Sequence, residues 1–376
     1  MQKFPNSLND IKIKPFSGMT ISELTAVLEH ISGEKDNTYR AKQIFSWICR
    51  GSLSFNNMTN LPQALRSDLQ NQTLVRGSIL KKKLIDPDGT IKLVLELCDG
   101  AVIETVLLAA ENNRRIACLS VQAGCPMGCV FCKTGFMGFL RNLEAFEIAD
   151  QFLFLSDELA EQSKIKQIEL RISHIVIMGM GEPLLNINPL RKVLEILCDP
   201  AGFGISKRKI CISTSGIYKG IIDLAENGPA VELAFSIVSA REELRRSLMP
   251  GTINDPLSSI KKALILYKEK QGRRLTLETV LLGGINTTSE DARALLAFAA
   301  DLDLTVNIIP WNPAENLFFN GKKLCRPETR EIQNFSRLLK ESGLRVTQRY
   351  RRGRSINGAC GQLGETLRNL SYITDE

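Results

Sequence analysis

Three cysteines fall within eight residues in the segment Gly124-Cys125-Pro126-Met127-Gly128-Cys129-Val130-Phe131-Cys132. Thiolates are soft ligands. Cys-x3-Cys-x2-Cys on a tight loop suits an iron–sulfur cubane in which one iron has no protein ligand and stays open to substrate. Structural zinc closes its tetrahedron with four ligands, usually from Cys-x2-Cys pairs. A zinc reading therefore needs a fourth ligand, and the two histidines, His30 and His174, lie far from the motif in sequence. Another cysteine could serve. Inert core cysteines leave three thiols beside Gly and Pro unexplained.

Two further segments carry chemistry. In Gly179-Met180-Gly181-Glu182-Pro183 the glycines let backbone approach a ligand, and the carboxylate can receive an ammonium group. In Asn357-Gly358-Ala359-Cys360-Gly361-Gln362-Leu363 small residues make a turn able to move a thiol, although a cysteine so placed can equally be idle.

These residues need elements to position them. Residues 1–75 read as a helical appendage, with apolar spacing of three and four from Tyr39 to Ile48. Residues 76–112 switch to strands, Ile91–Leu97 and Val102–Leu108, with Cys98-Asp99-Gly100 supplying a turn, so an antiparallel hairpin is expected. From 113 to 350 apolar strands alternate with amphipathic helices. The strands are Ile116–Val121, His174–Met178, Lys209–Ser213, Val231–Ile237, Leu275–Leu282 and Thr305–Ile309, and the rhythm predicts an α/β core of parallel sheet or partial barrel. A C-terminal segment, 351–376, follows. The cysteine loop comes just after the first of these strands. Glu182, the Ser213-Thr214-Ser215-Gly216 run, Ser236 and Asn312 come after later ones, where barrel active sites are built.

A hydrophobic content of 44% with 24% charged residues excludes a disordered or fibrous chain. A net charge of +7 is compatible with a phosphate-bearing partner. The basic clusters Lys81–Lys83, Lys207–Lys209, Arg273-Arg274 and Arg349–Arg354 gain meaning only if they converge. No apolar run reaches the roughly 18 residues of a membrane span, and no secretory leader is legible, so a cytoplasmic protein is expected. Its ten cysteines are then poorly read as a disulfide framework.

The three-cysteine loop with an aromatic before its last Cys resembles the radical S-adenosylmethionine (SAM) enzymes. Tyr39-Arg40-Ala41-Lys42-Gln43-Ile44-Phe45, Met58-Thr59-Asn60-Leu61-Pro62, Ile103-Glu104-Thr105-Val106, Met178–Pro183 and Ala359–Leu363 resemble, in order, the RlmN/Cfr family of RNA (adenine) methyltransferases. The resemblance spans nearly the whole chain. It implies a partial (β/α)6 radical SAM barrel, with a 4Fe–4S cluster on Cys125, Cys129 and Cys132. It also implies SAM contacts at Gly181, Glu182, Ser213, Ser236, Ile237, Val238 and Asn312. Cys360 would take a methyl group from one SAM. A second SAM, reduced through the cluster, would yield the 5′-deoxyadenosyl radical that activates the S-methyl group for attack on an adenine carbon too weakly nucleophilic for direct displacement. Cys118 would resolve the resulting thioether through a transient disulfide with Cys360, and Glu104 would be the proton acceptor.

The implied reaction is methylation of carbon 2 of an adenine in 23S ribosomal RNA, with transfer RNA as a further substrate, two SAM molecules per methyl and electrons from a donor such as flavodoxin. A monomer is expected. Cfr-like methylation of carbon 8, or a paralogous radical SAM enzyme with another substrate, is the alternative. Three positions depart from the family pattern. Val238 stands where a histidine is expected, Ser355 replaces an aspartate, and Gly358 replaces the alanine two before the reactive cysteine. Without the resemblance, Glu104 would read as a solvated strand residue. Cys49, Cys98, Cys198, Cys211 and Cys325 read as filler, and both histidines as structural.

Overall fold

The computed structural model describes residues 13–364 apart from 34, 112, 168 and 350; the rest of the C-terminal segment and the first twelve residues lie outside the described set. Helices α1 (Ile21–Ser32), α2 (Thr38–Cys49) and α3 (Gln63–Gln72) form the appendage. Helix α1 begins at a capping box, in which the Thr20 hydroxyl accepts from the Glu23 amide while Glu23 accepts from the Thr20 amide. It ends at Gly33, whose φ of 68° completes a left-handed cap. Strands β1 (Ile79–Ile85), β2 (Ile91–Glu96), β3 (Val102–Ala109) and β4 (Arg115–Cys118) follow, then β5 (Gln122–Gly124), α4 (Lys133–Phe136) and β6 (Phe139–Asn142).

Alternating units complete the chain: α5 (Ala145–Lys166), β7 (His174–Ile177), α6 (Ile187–Cys198), β8 (Ile210–Thr214), α7 (Tyr218–Asn227) and β9 (Glu232–Ser236). Then come α8 (Glu242–Leu248), α9 (Leu257–Gln271), β10 (Leu275–Leu281), α10 (Ser289–Ala299) and β11 (Leu304–Pro310). A short hairpin, β12 (Phe318–Phe319) and β13 (Lys322–Lys323), precedes α11 (Thr329–Glu341) and β14 (Arg345–Gln348).

The main sheet runs β1-β2-β3-β4-β7-β8-β9-β10-β11-β14. It is antiparallel from β1 to β4 and parallel from β4 onward. Six βα units therefore wind in order, as a partial (β/α)6 barrel requires, and β14 adds a seventh parallel strand. The expected hairpin is real but not separate: β1 joins it on one side, and β3 pairs with β4 on the other. Parallel strands have helices on their outer face and so read as apolar runs. Phe152, Leu190, Ile221, Leu264, Leu295 and Phe335 from successive helices close one core against the sheet.

The appendage has its own core, in which Phe16, Leu24, Phe45 and Phe55 pack with Leu153 of α5 and Ile196 of α6. Beside this apolar joint, the segment that follows the appendage is held to α5 by polar bonds. Arg76 pairs with Asp157 at 2.6 Å, and the amides of Gly77 and Ser78 donate to Asp150 Oδ2 at 2.9 and 2.8 Å. Burial pushes the Asp150 carboxyl up to about 6, although those amides and Arg76 pull the other way. No described helix is long and apolar enough to cross a membrane.

Candidate active site

Strand β5 delivers the chain to Cys125 through Gly124, whose φ is 77° and where a Cβ would lie 2.0 Å from the Gly138 carbonyl oxygen, so only glycine fits. The loop is pinned from several sides. The Cys125 amide donates to Gly138, Val130 to Leu248, Gly251 to Met127, and the Trp311 indole N–H to the Phe131 carbonyl at 2.9 Å. Cys132 then caps α4.

All three thiols line one cleft of about 960 Å³. Burial raises each of them; Cys125 stands at about 12 and Cys129 well above its ordinary value, with the neighbouring cysteines adding to the shift. Among the described residues no three His, Cys, Asp or Glu side chains are gathered as a metal ion would need. What the loop offers is three sulfurs along one wall, each made costly to ionise by burial and by the others. Cationic iron relieves that cost by taking the thiolates as ligands, and three cysteines are one short of the four that close a cluster. The donor set fits an open cubane.

The strand ends form the opposite wall. Glu182 is buried, and its carboxylate accepts from the Thr214 hydroxyl, the Ser215 amide and the Ser215 hydroxyl, each at 2.7 Å, and from the Leu184 amide at 3.1 Å. Burial still outweighs those four bonds and raises its pKa, which an incoming ammonium would reverse. Gly181, at φ 102°, packs where a Cβ would sit 2.5 Å from Gln122. Ser213 and Ser236 hydroxyls lie 3.2 Å apart, and Ser213 donates to Glu278 at 3.1 Å.

Gly181, Glu182, Ser213, Ser236, Val238 and Asn312 all line this cleft. Ile237 does not: its side chain is in the apolar core, and only its backbone faces the site's supports. Val238 has φ 59°, a left-handed conformation costly for a β-branched residue.

A second cleft, of about 820 Å³, adjoins the first. Cys360, Met178, Ile309 and Asn312 line both, and Cys118 lines the second. Arg326, Arg349, Arg351 and Arg352 also line it, so the Arg349–Arg354 cluster converges beside the two thiols. Arg349 Nη1 lies 3.6 Å from Cys360 Sγ, 3.4 Å from Met178 Sδ and 3.5 Å from Glu278 Oε1. Burial pushes Cys118 up to about 12, and the adjacent Cys360 adds to this. All ten cysteines are free thiols.

The segment carrying Cys360 is laid across the barrel mouth. The Lys133 amide donates to Gly361 O, the Thr134 hydroxyl to Leu363 O, and the Gln362 amide group to Pro313 O. Ser355 donates from both its amide and hydroxyl to Asp86 Oδ2 at 2.7 Å, and Gly353 from its amide to Asp88. The departure at 355 is thereby explained, because an aspartate there would face Asp86.

Glu104 is fully buried rather than solvated, because β3 is flanked by β2 and β4. Its Oε2 accepts from the Gly364 amide at 2.8 Å, and Lys92 Nζ lies 3.2 Å from Oε1. It lines neither cleft. Sequence reasoning missed Glu278 and Lys92, which sit within strands without a motif around them.

Lys209 and Arg274 from two other basic clusters meet Arg114 around a third cavity, of about 810 Å³, which reaches through the barrel to Met178, Glu278 and Arg349. His174 lines it with a pKa lowered by burial and by Arg114 and Lys209.

A family model described as the radical SAM superfamily matches residues 119–299, and one described as a ribosomal RNA large subunit methyltransferase N-terminal domain matches 16–75. A probable dual-specificity RNA methyltransferase RlmN of Treponema denticola is 47% identical over 328 residues, covering 87% of this chain and 90% of the relative. The dual-specificity RNA methyltransferase RlmN of Lawsonia intracellularis is 40% identical over 345 residues, covering 90% and 94%. The crystal structure of a radical SAM methyltransferase from Sphaerobacter thermophilus superposes with a TM-score of 0.87 at 34% identity, covering 94% of this chain and all of that one.

Proposed function

Because the chain belongs to the RlmN family of radical SAM RNA methyltransferases, we propose that it methylates carbon 2 of an adenine in 23S ribosomal RNA, and in some transfer RNAs, through an S-methylated Cys360. Cys125, Cys129 and Cys132 would hold a 4Fe–4S cluster. When bound, that cluster supplies the single electron that starts radical chemistry on SAM.

Glu182, already fixed by Thr214 and Ser215, receives the SAM ammonium, and Ser213, Ser236, Val238 and Asn312 line the remainder of that pocket. Ile237, just beyond β9, would act on that pocket only through its carbonyl, which accepts from Arg245. The observation that carries the reading is the position of Cys360 on the wall common to both clefts, with Cys118 in the second. A thiol there can accept a methyl group from the cofactor side and present it to a base on the arginine side. In the first transfer the Cys360 thiolate forms a bond to the SAM methyl carbon, and S-adenosylhomocysteine leaves with the electron pair.

Joining the S-methyl carbon to the base would cost that methyl one hydrogen atom, taken by the 5′-deoxyadenosyl radical, and the base one electron, returned to the cluster, with the ring proton. The Cys118 thiolate would then attack Cys360 Sγ, the S–C bond breaking with its electron pair on the base-bound carbon, which takes up a proton to become the methyl group. A Cys118–Cys360 disulfide would be left for external reduction. Glu104 would take the carbon-2 proton. Since its carboxylate holds the Gly364 amide, this role requires the C-terminal segment to lift. Arg326, Arg349, Arg351 and Arg352 suit RNA phosphates. A flavodoxin-type donor would reduce the enzyme, which would act as a monomer.

The test is mass spectrometry of nucleosides from ribosomal and transfer RNA of cells lacking their own enzyme, with and without this chain. Appearance of 2-methyladenosine supports the proposal, whereas 8-methyladenosine would place the chain with the Cfr-type reaction. Neither product, from protein carrying its cluster, would mean a different substrate.

A further inference from the structure

Arg245 of α8 is fully buried. Its Nη2 donates to Ser215 O at 2.5 Å, and its Nη1 to Ile237 O at 2.9 Å, Ser236 O at 3.3 Å and Met249 Sδ at 3.4 Å. Among the described residues its Nε has no hydrogen-bond partner, and the ring of Phe235 lies 5.1 Å from its guanidinium carbon. None of these partners is an anion. Carbonyl dipoles offset only part of the cost of burying a cation, and an arginine in such a place ordinarily faces a carboxylate or phosphate.

The helix that carries it is tied to the cysteine loop. The Leu248 carbonyl accepts from Val130, and the Gly251 amide just beyond α8 donates to Met127. Ser215, which accepts from Arg245 through its carbonyl, also donates its hydroxyl to Glu182. Arg245 therefore sits behind the cofactor cleft, against its walls and outside its lining. Burial lowers its pKa to about 10, and the charge that most opposes this is Cys129, ahead of Glu242, Asp255 and Glu182.

We propose that Arg245 is a built-in countercharge for the cluster that Cys125, Cys129 and Cys132 hold, a positioning residue that acts through the thiolates. The proposal rests on the assignment of those thiols as cluster ligands. Three thiolates bring negative charge to a dry wall of the cleft, and one-electron reduction adds more. A fixed cation in a medium of low dielectric stabilises the reduced form over the oxidised one and stabilises the loaded protein over the empty one. The empty protein, by contrast, bears a buried cation without an anion, so an apolar side chain of similar length should suit it as well or better.

The experiment uses the full chain reconstituted anaerobically, with Arg245→Met and Arg245→Lys beside the parent. Iron and sulfide content is measured first. A parent that binds neither defeats the cluster assignment itself, independently of the variants. Potentials are then titrated with dithionite, a one-electron reductant, and followed by electron paramagnetic resonance. Arg245→Met should make reduction at least tenfold less favourable, a fall of 59 mV for a one-electron couple, while Arg245→Lys stays close to the parent. Melting of empty and loaded protein gives the second readout: Arg245→Met should leave the empty form no less stable and shrink the gain on loading. Loss of iron from Arg245→Met but not from Arg245→Lys would also support the proposal. An unchanged potential in fully loaded Arg245→Met would overturn it. So would equal destabilisation of empty and loaded forms, or failure of both variants to fold, because each describes a staple for carbonyls rather than a countercharge.

Discussion

The two adjoining clefts are built in different ways. The cofactor-side cleft is made by the ends of consecutive strands and a loop pinned by backbone bonds, and the carboxylate of Glu182 in its lining already accepts four hydrogen bonds. The arginine-side cleft is closed by a segment that returns from the far end of the chain and is held by Asp86, Asp88, Glu104 and the cluster loop. The first is preorganised by the barrel. The second depends on tertiary bonds between residues far apart in the chain. A cofactor used in every turnover suits a fixed site, and a large folded RNA suits a site whose cover can lift.

Removing the thiol between the clefts should have the largest effect. Cys360→Ala is expected to lower RNA methylation by at least about 100-fold while the brown absorbance of the cluster persists. Cys118→Ala should instead accumulate a covalent chain–RNA adduct, visible as a shifted band on a denaturing gel. Parent-like turnover by either variant would break the contrast between the clefts.

Glu182→Ala leaves the Thr214 and Ser215 donors without their carboxylate in a buried place. SAM binding measured by calorimetry should weaken by roughly 10- to 100-fold, with about 2 kcal/mol of stability lost as well. The arginine-side cleft should be untouched, so iodoacetamide should alkylate Cys360 at the parental rate.

A substitution remote from both clefts serves as the control. The folded-state pKa of Asp150, about 6, lies above its ordinary 3.8. Its stabilising contribution is therefore complete below about pH 4 and is lost as pH rises through 6. The shift of about two units corresponds to at most about 3 kcal/mol. Melting curves of Asp150→Asn from pH 4 to 8 should lose this dependence and show a variant more stable than the parent at neutral pH, with unchanged SAM binding. A parent-like pH profile would contradict the assignment.

The smallest expected effect sharpens the comparison most. Ser355→Asp places a carboxylate against Asp86 and should loosen the cover by about 1 kcal/mol. Hydrogen exchange at 353–364 should speed up, with no change in the strand ends around Glu182.

The same contrast explains what could be read from the sequence. The cofactor-side residues follow strands directly, so the alternation of strand and helix already placed Glu182, Ser213 and Ser236 together, and the spacing of the three cysteines marked their loop. The side chain of Ile237, just past the end of β9, turns into the core while those of Ser236 and Val238 on either side of it reach the cleft, an alternation the spacing alone does not orient. The arginine-side cleft was legible only in part. Cys360 and the arginine run were visible, but the ties from Glu278 to Arg349 and from Asp86 to Ser355 join residues 71 and 269 positions apart. Periodicity carries no trace of such pairs. Glu104 reads as exposed while the hairpin is considered alone, and becomes buried because β3 also pairs with β4 and receives the C-terminal segment. Strand β14 went unforeseen because its burial pattern is mostly exposed, as an edge strand's is.

The central claim is that Cys360 carries the methyl group between the clefts. Reconstituted protein incubated with substrate RNA and SAM bearing a trideuterated methyl group, then quenched and digested, tests it by mass spectrometry of the Cys360 peptide. The account predicts deuterated S-methyl label on Cys360 and on no other cysteine; label reaching the RNA while Cys360 remains unmodified throughout would contradict it.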